Sequence, residues 1–544
     1  MSSISYQYNN MSTNTNKSLF LPQFSLKPSQ SMSSVSSAYT STSDIPTSNT
    51  LQAFSNGFKS IVGSGICALP FAFYASGWLI GILALMCVCA SSAVSMQQLI
   101  ACVRTIRKQQ RYQTMTNSVI PEDDETIHNR TLSFDVNNLD ERLCEDTIGF
   151  RQLGQIAMNN SRIGEYIVNI SLLSCQLGGN CAFLSFVVSS IYSILTIHNL
   201  THYLSHTMIV ILLFPILCGL ALSKSTAYLA PFSHFGNITL LISVLTVLVY
   251  SAINTKYGIS LNGLQHMSAY TDWTGLAIFL GVSAFSVCAH AEIMAVETDS
   301  ADRKNFHRVI TGVMILITIS YALFGIIIYS ALGSHTTGNI LTSLHSTGFV
   351  DIVKISMSIS VLVMYPMSLI PAVNAMEEIC GMTPYIQASI QASPKITRMN
   401  SSQPINSNNE SNNTNESTPL LHSQSDTQLI EIQSDSYNAY NNDPVDDRMT
   451  NHTNSPIDYY KSVLLRVLVV ISTCLVTITF NNYGLLVSLV GSIAGGSLSF
   501  VLPPYFYWVI HRYQLNIWYK IALTIQILFG LALIGSGLFV AFTV

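Results

Sequence analysis

Long apolar runs separated by short polar joints dominate the pattern of this chain. A membrane-crossing helix needs ~20 predominantly apolar residues. About eleven stretches of that length occur, near 54–77, 79–102, 164–194, 207–223, 229–253, 273–296, 309–331, 351–374, 463–481, 484–508 and 518–541. Polar sequence divides them into four parts. Residues 1–50 form a Ser-, Thr-, Asn- and Gln-rich tail, and 51–384 carry the first eight stretches with a polar insertion at 105–160. Residues 385–458 are low-complexity sequence, and 459–544 carry the last three stretches. The tail and both insertions hold too little apolar sequence to bury a core and are expected to be disordered.

Charge then orients the stretches. The second ends in Arg104, Arg107, Lys108 and Arg111, which the positive-inside rule keeps in the cytoplasm. That assigns a cytoplasmic N-terminus and, with an odd number of spans, a C-terminus on the opposite side. The cytoplasmic side then also collects Lys224, Arg303, Lys304, Arg308, Lys395, Arg398, Arg448, Lys461, Arg512 and Lys520, against Lys256 and the span-edge Lys354 opposite. Residues 1–50 lack the apolar core and cleavage site of a signal peptide, so the first span is expected to direct insertion.

Composition agrees: 49% of residues are apolar and 10% charged, with a mean hydropathy of +0.40. A soluble domain carries about 25% charged residues. The net charge of −4 resides in tails and loops, and no basic stripe with interleaved aromatics points to nucleic acid. No Walker-type loop, GxSxG or HExxH is present, which argues against an ATP-driven pump or a hydrolase and calls for no cofactor.

The first span, FSNGFKSIVGSGICALPFAFYASGW from Phe54 to Trp78, carries Gly63-Ser64-Gly65 mid-span with Pro70 beyond. Glycine weakens a helix and proline removes a donor, so the span is expected to break within the bilayer. Broken backbone at that depth must be buried in protein or line a polar cavity, and transporters use it to turn backbone groups toward solute. A kinked packing helix is the alternative. Lys59 lies one turn before the break, either as a functional ammonium or as a side chain that snorkels to water. In the sixth span, AFSVCAHAEIMAVE places His290 and Glu292 in apolar sequence, suited to proton coupling or to hydrogen-bonded helix packing. Gln176 and Asn180 in the third span line a site or join helices.

His198, His202 and His206 have one-face helical spacing but no acidic or thiol partners, so no metal is assigned. No cysteine falls in an external loop and no structural disulfide is expected; Cys87 and Cys89 read as small-residue packing. Asn199-Leu200-Thr201 is the glycosylation candidate in a predicted external loop. Glu416 with Leu420 and Leu421 resembles an acidic dileucine signal read by cytosolic sorting adaptors, which directs a vacuolar or lysosomal destination, with the plasma membrane as the other.

Residues 56–78, NGFKSIVGSGICALPFAFYASGW, resemble the opening signature of the amino acid/auxin permease family, and FSVCAHAEIMAV resembles a sixth-span stretch of its neutral amino acid transporter branch. YSALGSHTTGNILTSL, MYPMSLIPAVNAMEE and NNYGLLVSLVGSIAGGSLSFVLPPYFYW follow in the same order as in the family. The resemblance implies a LeuT-like core of two inverted five-helix repeats plus one further helix, an amino acid substrate and alternating access. It implies substrate binding at Gly63, Ser64, Gly65, Ile66, Phe285, Ser286, Cys288 and Asn180. Ser358 and Ser360 would lie near the ion site of sodium-coupled relatives, with Lys59, His290 and Glu292 as further ion- or proton-coupling candidates.

Two departures matter. Sodium-coupled relatives have Asn where this chain has Lys59, which implies sodium-independent transport, proton-linked or facilitative. Relatives often carry Pro where this chain has Ala291, so the break in the sixth span is expected to be less secure than that in the first. The alternatives are an amino-acid-sensing receptor with transporter architecture and a sodium-coupled neutral amino acid transporter. Bond-making catalysis is not expected.

Overall fold

The apolar runs fold as helices because in hydrocarbon every backbone N–H and C=O must be satisfied within the segment. The computed structural model describes residues 48–118, 148–159, 161–199, 204–222, 230–253, 267–345, 347–380 and 456–543. The first helices are α1 (Thr50–Ile61), α2 (Leu69–Ser76), α3 (Trp78–Ser118), α4 (Phe150–Ala157), α5 (Arg162–Ile197), α6 (His206–Ala221) and α7 (Ala230–Ile253). They are followed by α8 (Trp273–Ser286), α9 (His290–Asp299), α10 (Phe306–Leu332), α11 (Gly348–Ile379) and α12 (Pro456–Thr479). The last are α13 (Tyr483–Val490), α14 (Leu502–Ile510) and α15 (Ile517–Thr543), with a π-helical stretch, Gly491–Val501, joining α13 to α14. Among the described residues the one β pairing is an isolated parallel bridge between Ser48 and Ser300.

Nine helices are long and apolar enough to cross a membrane among the described residues, or ten when the bent pair α1–α2 is taken as one span. Each of the expected stretches falls on one of these or on α6, in order. At 16 residues, α6 extends only about 24 Å, short of the ~30 Å hydrocarbon core. The protein is an all-α, multi-pass membrane protein.

Burial shows which spans are central. The most apolar window of α8–α9 is 67% buried and that of α13–α14 is 72% buried, against 22% for α15. The sixth and tenth spans therefore run through the middle and the last lies at the periphery. Close crossing puts them together: a side chain on Gly491 would overlap the Gly281 carbonyl and sit 2.6 Å from the Phe285 amide.

The ends expected on the cytoplasmic side do lie together. Arg107 Nη1 is 2.9 Å from the buried Glu297 carboxylate, and Arg104 donates to the Arg303 carbonyl. Ser48 N donates to the Asp299 carbonyl at 3.2 Å and Ala301 N to the Ser48 carbonyl at 3.1 Å, which ties the start of α1 to the end of α9. A second buried pair joins Arg466 Nε to Glu377 at 3.2 Å. Arg466 also donates to the Ala221 carbonyl at 3.0 Å, so α6, α11 and α12 are pinned at one end.

One expectation about the polar segments is corrected. The insertion 105–160 is ordered at both margins, with α3 continuing to Ser118 and α4 starting at Phe150. Residues Phe150, Leu153, Ile156 and Ala157 form a buried face. Phe150 meets Phe506 with ring centroids 5.7 Å apart. Four apolar positions at helical spacing outweighed a polar average. The dileucine residues Glu416, Leu420 and Leu421, and almost all of the tail and the second insertion, lie outside the described residues.

The unwound segments of the first and sixth spans

The first span breaks where Gly-Ser-Gly stands. Val62 (φ −77°, ψ 106°) leaves the helix as extended backbone, and so does Gly63 (φ −132°, ψ −158°). A short 310 turn, Ser64–Ala68, then leads into α2, where Pro70 sits in the first turn and lacks a donor that would have no intrahelical partner there anyway. The two halves are bent by 49°. Space demands glycine only at Gly65, where a Cβ would lie 2.7 Å from Ser286 Oγ, 3.0 Å from Ser286 Cα and 3.2 Å from Phe285 Cδ1. A Cβ on Gly63 would meet nothing within 4 Å.

Those contacts show that the first break faces the second. The sixth span unwinds at Val287, Cys288 and Ala289 between α8 and α9, although no Gly or Pro stands there. Short turns replace the helix, with Cys288 N donating to the Phe285 carbonyl at 3.2 Å and Ala289 N to the Val287 carbonyl at 3.0 Å.

Two buried tyrosines serve the carbonyls that the breaks release. The Tyr321 hydroxyl from α10 lies 3.2 Å from the Ser286 carbonyl and 3.5 Å from the Ile61 carbonyl, sharing one proton between the two breaks. Tyr483 from α13 donates to the Ser64 carbonyl at 3.0 Å. Sequence reading passed over both. A tyrosine deep in an apolar span is itself a signal, because its hydroxyl must find a partner.

The remaining candidates divide into those near the breaks and those elsewhere. Ser64 and Ile66 are buried, and the Ser64 hydroxyl has no hydrogen-bond partner among the described residues. Ser286 turns its hydroxyl back to the Val282 carbonyl at 2.8 Å. Cys288 lies 3.5 Å, sulfur to sulfur, from Cys175 of α5. His290 is fully buried, its ring 6.5 Å from that of Phe500 and beside the Cys288 thiol. Glu292 has the same thiol as a neighbour and keeps exposed surface. Asn180 is completely buried in α5, with neither amide atom hydrogen-bonded among the described residues.

Three expected ion residues are not brought to the breaks. Lys59 projects from the exposed side of α1, opposite the buried stripe of Ala53, Gly57 and Ile61. Ser358 donates to its own helix at the Lys354 carbonyl, 2.7 Å away. Ser360 faces α7, where a Cβ on Gly236 would sit 2.6 Å from its hydroxyl. Among the described lysines, Lys354 is fully buried, with its ammonium 3.2 Å from Ser193 Oγ. Among the other candidates, Asn199 has a left-handed backbone (φ 57°) at the end of α5, and His198 lies 3.4 Å from Asp351. His206 stacks edge-on with Tyr192. Among the described residues no three His, Cys, Asp or Glu side chains cluster to hold a metal.

In chemical terms, the breaks set a half-helix N-terminus, which favours an anion, against half-helix C-terminal carbonyls, which favour a cation. An α-amino acid carries one group of each kind.

Comparison with known proteins agrees. Residues 46–543 match the family described as transmembrane amino acid transporter protein. The chain is 23% identical to amino acid transporter ANT1 of Arabidopsis thaliana over 86% of this chain and 87% of the relative. It is 24% identical to amino acid transporter AVT3B of the same plant over 61% and 72%. It is also 22% identical to vacuolar amino acid transporter 3 of Schizosaccharomyces pombe over 39% and 32%.

Proposed function

The chain belongs to the transmembrane amino acid transporter family, whose members here are transporters rather than enzymes, and from that premise we propose that it moves amino acids by alternating access around the two facing breaks. The observation that carries this reading is the approach of Gly65 to Phe285 and Ser286, which leaves the unwound segments of two spans side by side inside the bundle. The substrate carboxylate is taken by backbone amides entering α2, and its ammonium by carbonyls at the ends of α1 and α8. Gly63, Ser64, Gly65 and Ile66 form one wall, and Phe285, Ser286 and Cys288 form the other. The unpartnered Ser64 hydroxyl supports polar contact there.

Sodium-independent coupling fits the ion residues. Ser358 and Ser360 are directed to their own helix and to α7, and a buried ammonium at Lys354 lies one turn from Ser358, where it repels a second cation. Glu292, exposed in the first turn after the second break, is the proton carrier in this reading, with the buried His290 as the other candidate. A proton biases the cycle only if the inward- and outward-open states bind it with different affinity. The cytoplasmic N-terminus follows from the distribution of Lys and Arg. The vacuolar relatives support a vacuolar or lysosomal membrane.

The test is uptake of a labelled amino acid panel into proteoliposomes, with and without a pH gradient and with sodium replaced by choline. Proton-stimulated flux indifferent to sodium is the expected outcome. A sodium requirement would overturn the coupling, and saturable binding without flux would mark a receptor.

A further inference from the structure

We propose that Cys175 and Cys288 form a reversible disulfide that ties the third span to the unwound segment of the sixth. Four observations converge on this pair. The two sulfurs are in contact at 3.5 Å across different spans. Both residues are partly accessible, and the exposed Glu292 is their neighbour, so a small water-soluble oxidant reaches them from that side. The Ser499 hydroxyl donates to Cys288 Sγ at 3.4 Å, which holds that sulfur in place beside Cys175. Cys288 lies on non-helical backbone between α8 and α9. The sulfurs must close to about 2.05 Å, and that stretch shifts without unwinding a helix.

The chemistry balances with a peroxide as oxidant. The Cys288 thiolate attacks a peroxide oxygen, the O–O bond breaks, and water leaves with a sulfenic acid on Cys288. Cys175 sulfur then attacks the sulfenic sulfur, the S–O bond breaks, and a second water departs with the Cys175 proton. In sum, two thiols and one hydrogen peroxide give one disulfide and two waters. A thiol reductant reverses the bond by exchange.

The bond has a mechanical consequence because of what it joins. α5 packs along α11 and α12 and α8 against α2, and both also pack on α13 and the π-helical stretch. A covalent tie between α5 and the second break adds a direct link to this packing and fixes α8 and α9 against α5. Formation of the bond is independent of the transport reading; its effect on flux rests on that reading.

The experiment uses the full chain with its nine other cysteines (11 in all, less this pair) replaced by serine. A protease site placed in residues 254–266 separates the two halves on a gel. After hydrogen peroxide the cleaved halves are expected to stay joined without reductant and to part with dithiothreitol. With Cys175→Ser or Cys288→Ser they part in every condition. Halves that part after peroxide in the two-cysteine protein overturn the proposal. Should that protein fail to fold, mass spectrometry of the oxidised wild-type chain decides it by the presence or absence of the linked span-three and span-six peptides. In proteoliposomes, oxidation is expected to cut uptake at least tenfold with recovery in dithiothreitol, and to cut it less in the Cys175→Ser variant, where oxidation stops at the Cys288 sulfenic acid. A linked protein with undiminished uptake overturns the lock. No uptake from the reduced protein overturns the transport reading and leaves the gel result to stand by itself.

Discussion

The two broken spans reach similar geometry by different routes. The first is interrupted by its own sequence, with Gly63, Gly65 and Pro70 bracketing a 49° bend. The second, from Val287 to Ala289, contains neither glycine nor proline. It is held open by neighbours: Gly491 crossing against Gly281 and Phe285, the Tyr321 hydroxyl on the Ser286 carbonyl, and Ser499 on the Cys288 sulfur. A helix can thus be broken by residues that disfavour it or by partners that satisfy the released groups more fully. Breaks and kinks always have such an identifiable cause.

The comparison can be broken most severely at the point where the two segments touch. Gly65→Ala inserts a methyl 3.0 Å from Ser286 Cα, and overpacking of this kind costs about 1–3 kcal/mol. Expressed as substrate affinity, that is roughly a fivefold to 140-fold rise in Kd, at ~1.4 kcal/mol per tenfold. Radioligand binding to purified protein reads it out. Gly63→Ala, with nothing within 4 Å of its Cβ, is expected to bind normally.

Removing the shared hydroxyl comes next. Tyr321→Phe strips a donor from both breaks, whereas Tyr483→Phe strips one from the first alone. A buried carbonyl left without its donor costs about 1–3 kcal/mol. Thermal unfolding in detergent should therefore show the larger loss for Tyr321→Phe. Equal losses would mean that the two breaks are stabilised independently.

Glu292→Gln sharpens the difference in role, because only the second break carries an acid. Uptake is expected to lose its stimulation by a pH gradient while amino acid exchange continues. Lys59→Ala, on the exposed side of α1, should change neither.

Ala291→Pro is a milder probe. Ala291 is the second residue of α9, as Pro70 is the second residue of α2. The first turn tolerates proline because its N–H groups have no intrahelical partner. A stability change within about 0.5 kcal/mol is expected, and a large loss would show that the second break depends on its present turn geometry.

The smallest effect lies away from both breaks. Burial pushes the His511 imidazole below the usual histidine range, where it stacks on Tyr507 and meets Thr105 at 3.0 Å. As pH falls from ~6.5 toward the lower folded value, the unfolded chain binds more protons and native stability declines. His511→Gln should flatten the pH dependence of the thermal midpoint slightly across that window.

How much was legible beforehand follows the same division. The order of apolar segments and the break at Gly63-Ser64-Gly65 could be read directly, because bilayer length and backbone preference are local properties. The facing of Gly65 and Ser286 was implied only by the family resemblance, and the roles of Tyr321, Tyr483 and Cys175 could not be read at all. Each depends on residues more than thirty positions apart. Lys59 lies on the exposed side of α1, while Lys354, at a span edge in the sequence, is fully enclosed. A lysine's depth in a span does not tell which face of the helix it occupies or what covers that face.

Taken by itself, then, the sequence determined an all-helical membrane protein, the succession of its spans and the place of its first break. Hydrocarbon demands internal hydrogen bonding of every span, and glycine and proline act on their own backbone. The folded molecule was needed to establish that the glycine-free segment Val287–Ala289, whose break the family resemblance left less secure, does unwind, and which distant side chains hold it open. Those outcomes depend on the balance between helical hydrogen bonds and the partners that distant spans supply, and no local stretch of sequence encodes that balance.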